Sequence, residues 1–169
     1  MDTALLFIHN LLRWVILLLL VLSIFRAYRG WKSRKIFGKS DRQLGLFLMI
    51  SAHIQFVIGL IQWVSGPVGL AQIRSNGMGA VMKDSASRYW AVEHFTVMLI
   101  AIVLITIGRS ITKKSISDTF KFKRSFWMYL LALILILATA PWPGRKGIGR
   151  PLVPGGSVTT TAVQDAATN

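Results

Sequence analysis

Apolar residues along this chain fall into four long runs, about 4–25, 44–64, 89–108 and 126–140. Crossing about 30 Å of hydrocarbon takes roughly 20 mostly apolar residues in an α-helix. The first three runs meet that length. The fourth is short, but Phe120, Phe122, Trp127 and Tyr129 near its start and Trp142 beyond its end are aromatic anchors of the kind found at headgroups. Within lipid a span must satisfy its own backbone groups, so all four runs are predicted as helices. The expected fold class is an all-α membrane protein, a four-transmembrane-helix bundle over residues 1–152. Residues 153–169, small and polar, are expected to form a flexible tail.

The polar positions sort themselves between the runs. The first connection holds Arg26, Arg29, Lys32, Arg34, Lys35, Lys39 and Arg42, and the third holds Arg109, Lys113, Lys114, Lys121, Lys123 and Arg124. The second has Arg74, Lys83 and Arg88, and the C-terminal region Arg145, Lys146 and Arg150. Basic connections stay cytoplasmic, which places both termini and the second connection outside. Only Asp2 precedes the first run, with the basic cluster after it, so a permanent span is expected rather than a cleaved signal. The second connection, 65–88, is long for a bare link. Its N-G-M-G is turn-prone, and its apolar residues suit either the outer membrane surface or the mouth of the bundle. Pro141 and Pro143 are expected to end the fourth helix.

Composition narrows the chemistry. The net charge of +14 would suit a nucleic-acid binder, but the cations lie between apolar runs and form no single basic face, so no nucleic acid is expected. They suit anionic lipids instead. Without cysteine the chain has no disulfide, zinc-thiolate site, iron–sulfur cluster or covalently attached haem. No nucleophile–base pair or Gly-rich nucleotide motif is present, which leaves hydrolase and transferase chemistry without support.

What remains is a small polar set inside the runs: His9, Arg13, His53, Glu93 and His94. Ionisable groups there are expensive and mark function or pairing. At 1.5 Å per residue His9 and His94 lie roughly 8 Å from the outer ends of their helices, and Arg13 and His53 roughly 14–16 Å. His9 and Arg13, one turn apart, share a face. Trp90, His94, Val97 and Ala101 form a stripe on the third run with Glu93 at its edge. Ser51, Gln55, Gly59, Gln62 and Gly66 form a small-and-polar stripe on the second, with His53 about 160° from its centre. His9 and His94 match in depth as axial ligands of haem b, with Arg13 for a propionate and His53 in reserve. Three other readings stay open: a quinone or proton-handling pocket, a divalent-metal site of His9, His53, His94 and Glu93, and purely structural contacts built on an Arg13–Glu93 ion pair.

Several strings occur together: L-L-F-I-H-N-L-L-R-W, L-G-L-F-L-M-I-S-A-H-I-Q, G-M-G-A-V-M-K-D, R-Y-W-A-V-E-H, L-I-T-I-G-R-S and P-W-P-G-R-K-G-I-G-R-P-L. With them the chain resembles, over residues 5–152, a family of small four-span inner-membrane proteins of Bacteroidetes often labelled cytochrome b. The resemblance implies a bacterial inner membrane, with His9, His53 and His94 as the candidate haem residues. Three histidines allow at most one bis-histidine haem per chain. Two functions are expected to compete: electron transfer through haem b to or from quinone or an envelope partner, and a non-catalytic accessory subunit of a larger membrane complex. The two-faced second helix motivates the latter, with a homodimer as its variant.

Overall fold

The computed structural model describes residues 3–152; the expected tail at 153–169 lies outside them. The described residues form five helices and no strand. Helix α1 spans Thr3–Lys32, α2 Lys39–Ser65 and α3 Leu70–Lys83. Helix α4, Ser85–Ile111, runs continuously through a π-helical turn at Tyr89–Glu93, and α5 spans Asp118–Thr139. Four of them (α1, α2, α4 and α5) are long and apolar enough to cross a membrane. At 1.5 Å per residue, the 30 residues of α1 reach about 45 Å. That exceeds the hydrocarbon, because the apolar run marks the part in lipid and the helix continues through its basic end.

Helix α1 packs on α2 and α5, and α4 packs on the same two. Helices α1 and α4 therefore face each other across the diagonal of a four-helix bundle. Ile16, Leu17, Leu20, Leu48, Ala101, Ile105, Ala132 and Ile136 fill the middle of the bundle, all buried. The opposite face of each helix is equally apolar and exposed: Leu18, Val21 and Phe25 on α1, Ile54 and Val57 on α2, Ile134 on α5. An exposed apolar surface of this extent is an aggregation hazard in water, and it suits a bundle whose surroundings are lipid. These are the features of a multi-pass membrane protein.

The end of the bundle away from the termini is tied by short polar links and close packing. Asp41 accepts hydrogen bonds from the Gly38 N–H (3.1 Å) and from Arg26 (2.9 Å), joining the end of α1 to the first turn of α2. The Ser125 hydroxyl donates to the Gly108 carbonyl at 3.1 Å. Gly108 lies so near Tyr129 that a Cβ there would come within 2.7 Å of its ring, which is how α4 and α5 approach closely.

The second connection, expected as a long link, holds a helix. In α3, Val81 is buried, while Met78 and Met82 are exposed with the polar residues. The N-G-M-G turn signal is nevertheless real: Gly77 takes φ 76° and ψ 152°, and it breaks α3 into two short helical pieces. Before α3 the chain turns sharply at Gly66-Pro67. Gly69 passes so near the Trp63 carbonyl that a Cβ would sit 2.2 Å from its oxygen, so only glycine fits. Helix α4 then begins at an N-cap, where Asp84 accepts from the Ser87 N–H at 2.8 Å. The hydrogen bonds from Ser87 hold the Asp84 carboxyl below its ordinary value of 3.8.

Candidate functional site

A cavity of about 170 Å³ opens between α1, α2 and α4 in the half of the bundle that carries the termini. At roughly 30 Å³ per water in the liquid, that is room for about five or six waters. Its floor is the bundle core at Ile16, Ala52, Ala101, Ile105 and Ile136, and its walls include Phe56, Trp63, Trp90 and Phe95. Polar groups interrupt this apolar lining at few points. They are His9, Asn10 and Arg13 from α1, Gln55 and Gln62 from α2, His94 from α4, and Arg150 from the segment after α5.

His9 and His94 enter the cavity from the two diagonal helices, as the sequence reading expected. The His9 ring rests on Gly59 of α2, where a Cβ would lie 3.1 Å from its Cε1. The His9 backbone carbonyl accepts from Gln55 Nε2 at 3.0 Å, which fixes the register of α1 on α2. Its Nδ1 is buried without a hydrogen-bond partner among the described residues. The small-and-polar stripe of α2 therefore does face the bundle, and Gly59 is the small residue that lets the His9 imidazole approach it closely.

His94 is positioned by a π turn and two prolines. The His94 N–H bonds the Tyr89 carbonyl, five residues back, so the turn at Tyr89–Glu93 is one residue wider than an α-helical turn. The widening brings the Tyr89 hydroxyl within 3.4 Å of His94 Nδ1. That hydroxyl donates to the Thr139 carbonyl at 2.5 Å. The carbonyl is available because the residue four further on is Pro143, which has no N–H. Pro141 frees the Leu137 carbonyl in the same way, and Trp142 Nε1 fills it at 2.7 Å. With its proton committed to Thr139, the Tyr89 oxygen meets His94 as an acceptor. Nδ1 then carries the imidazole proton, and Nε2 keeps its lone pair. The same turn offers the Ala91 carbonyl to Trp63 Nε1, at 3.0 Å, on the cavity wall.

Two expectations about charged and ligating residues are corrected. Arg13 and Glu93 do not pair. Glu93 turns away from the bundle to Arg88, at 2.7 Å, because the π turn carries it off the inward stripe and a cation stands five residues before it on the same surface. Arg13 is buried between Trp14 and Trp142, its guanidinium carbon 5.4 and 5.8 Å from their rings. Its one acceptor among the described residues is the Leu152 carbonyl, at 3.3 Å.

His53 is not part of the site. It is exposed on the outer face of α2, where Nδ1 donates to the Met49 carbonyl at 2.8 Å. At 100° per residue, a position two steps from Gln55 cannot share its face. With His53 outside and Glu93 turned away, the divalent-metal set of His9, His53, His94 and Glu93 is not assembled, and no group of three or more His, Cys, Asp or Glu residues converges among the described residues.

No family model, curated protein or solved structure matches the chain. The site must therefore be read from its own geometry. Two residues in it escaped the sequence reading. Tyr89 precedes His94 by five, which on a regular α-helix is another face, and only the π turn brings it round. Arg150 arrives with the segment after α5, which doubles back through Gly144 (φ 89°) and Gly147 (φ 74°). This segment closes on itself at Arg150 N–H to Pro141 O, 3.0 Å, and docks where Trp14 Nε1 donates to Leu152 O at 2.8 Å. The P-W-P-G-R-K-G-I-G-R-P string announced the helix end but not the return.

The donor set and the apolar lining suit nitrogen-ligated iron in a planar group, which the cavity of about 170 Å³ must widen to admit. Two imidazoles face one cavity, one held by a tyrosine and the other with a buried, unpartnered nitrogen. The walls are aromatic and aliphatic, and cations stand at the edge.

Proposed function

We propose that this chain is a cytochrome b-like electron-transfer protein of a bacterial inner membrane, with haem b in the cavity between α1 and α4. The single observation that carries the reading is that His9 and His94 line one apolar cavity from diagonal helices. His9 and His94 would hold the iron, with Tyr89 fixing the His94 tautomer and Arg13 beside the carboxylate edge. Haem b supplies reversible one-electron transfer when bound. The chain's own part is to exclude water with Phe56, Trp63, Trp90 and Phe95, and to orient the two rings. The partner for the electrons is a quinone or a protein of the envelope. This reading agrees with what the resemblance to the inner-membrane family implies, and the distribution of basic residues puts both termini and the cavity on the outer side.

Haem titration of the detergent-solubilised protein tests the reading. A Soret band with the sharp α-band of a six-coordinate reduced haem is expected. His9→Ala and His94→Ala should each lose it, and His53→Ala should keep it. A His53→Ala protein that behaves like the other two would overturn the assignment. The chain has no cysteine, so single cysteines at Ser115 and Ser75 report sidedness directly. Labelling of Ser115→Cys from inside and of Ser75→Cys from outside is expected.

A second reading rests on His53. Its imidazole lies on a face that is otherwise Ile50, Ile54 and Val57, with only the backbone of its own helix as a partner. A polar ring in such a face favours an accessory subunit or homodimer that covers it. Native mass in mild detergent is expected to exceed the monomer on this reading and to fall toward it in His53→Leu, whereas a monomer in both proteins overturns the reading.

A further inference from the structure

Arg13 and Arg150, which both line the cavity, have no carboxylate counter-ion among the described residues. Six residues of the sequence are acidic, and the described ones are Asp41, Asp84, Glu93 and Asp118. Each is engaged elsewhere: Asp41 with Arg26, Asp118 with Lys121, Glu93 with Arg88, and Asp84 as the N-cap of α4. Arg13 is left with one carbonyl oxygen, and its Nε is buried and unpartnered. Arg150 lines the same cavity with its guanidinium carbon 5.0 Å from the Trp90 ring, and its side chain has no acceptor among the described residues. The neighbouring Arg145 differs, because its Nη1 is committed to the Ala140 carbonyl at 3.2 Å.

A guanidinium taken out of water without an anion is strongly unfavourable, and arginine's five N–H donors suit carboxylate and phosphate oxygens alike. Stacking on tryptophan orients each guanidinium but satisfies none of its donors in the ring plane. The cavity beyond is apolar. The arrangement therefore selects an amphiphile, with an apolar body in the cavity and anionic oxygens against the arginines.

We infer that Arg13 and Arg150, which both line the cavity, form a two-cation carboxylate site there, and that they recognise the two propionates of the prosthetic group. The inference rests on the haem reading for the identity of the body, and on the charge inventory alone for the anion. It assigns a binding role to the returning segment after α5. That segment brings Arg150 to the site, and its Leu152 carbonyl holds Arg13 and Trp14 until an anion takes its place.

The test compares haem b with its dimethyl ester, which keeps the ring and iron but carries no carboxylate, by titration into the purified full chain in neutral detergent. Haem is expected to bind at least tenfold more tightly than the ester. Arg150→Gln is expected to weaken haem about tenfold and leave the ester unchanged, and Arg13→Gln to do the same. Arg150 stands outside the helices, so Arg150→Gln keeps the test valid should Arg13→Gln fail to fold. Equal affinity for haem and ester, or an Arg150→Gln protein that still discriminates between them, overturns the inference while leaving histidine ligation intact.

Binding of neither porphyrin would instead remove the haem reading. The anion site would then be judged by thermal midpoint in neutral micelles doped with phosphatidylglycerol or with phosphatidylcholine. A rise with the anionic lipid alone, lost in Arg150→Gln, supports the site with a phosphate-headed lipid as its source. No difference between the two lipids overturns it.

Discussion

Replacing Tyr89 by phenylalanine removes one oxygen atom and tests how the site is held. The hydroxyl donates to the Thr139 carbonyl at 2.5 Å and stands 3.4 Å from His94 Nδ1. Pro143 cannot take over the first of these, so Thr139 is left with a buried, unpartnered carbonyl. Such a group costs about 1–3 kcal/mol in a protein interior. Side-chain hydrogen bonds between membrane helices measure lower, about 0.6 kcal/mol on average and at most about 1.7. The expected loss is therefore about 1 kcal/mol, roughly a fivefold change in the unfolding equilibrium at 1.4 kcal/mol per factor of ten. Tryptophan fluorescence during titration of the folded protein from mild detergent into SDS measures it. Tyr28→Phe is the control, since Tyr28 is exposed and its hydroxyl makes no hydrogen bond among the described residues. The same change frees the His94 ring, and losing the outer partner of a metal-ligating histidine costs about 10–100-fold in affinity. Haem titration should show a weakening of that order. A Tyr89→Phe protein as stable as Tyr28→Phe, and with unaltered haem affinity, would refute the role given to the π turn and to Pro143.

Three further outcomes follow from the geometry. Gly108→Leu should destabilise the bundle by more than about 2 kcal/mol, because its Cβ falls within 2.7 Å of Tyr129 and neither helix can retreat; a folded fraction equal to wild type in SDS titration would contradict that. Glu93→Gln should change stability by less than about 1 kcal/mol and leave haem binding alone, since it breaks an exposed pair with Arg88. A large loss would restore the Arg13–Glu93 pair that the structure does not contain. The Asp84 carboxyl is held below its ordinary value by Ser87, so its contribution is present above the unfolded value of 3.8 and is lost as the pH falls through the lower folded value. The protection factor of the Ser87 amide, with the intrinsic pH dependence of exchange divided out, should accordingly fall on acidification below the ordinary carboxylate range, and Asp84→Asn should abolish that fall.

Much of the fold was legible because lipid simplifies the code. Four apolar runs gave four helices of spanning length, and Pro141 ended the last of them. The runs understated each helix, since hydropathy marks where lipid begins and α1 continues through Arg26, Arg29 and Lys32. Depth and 100° periodicity also brought His9, Arg13 and His94 to one cavity and set His53 on another face. What was illegible depended on departures from regular periodicity. The π turn rotated Glu93 outward and Tyr89 inward, which no constant angle per residue foresees. Helix α3 was hidden by its own N-G-M-G break, which is a true turn inside a helical segment. Arg150 returns to the site through two positive-φ glycines, and its position depends on three-dimensional closure of the segment rather than on any repeat.

The visible spectrum of the protein purified in mild detergent from haem-replete cells tests the haem assignment most directly. A Soret band at about one haem per chain is expected, with a reduced low-spin spectrum that His9→Ala and His94→Ala each abolish. A protein that is folded, monodisperse and colourless under those conditions, and stays so when haem is added, would contradict the assignment.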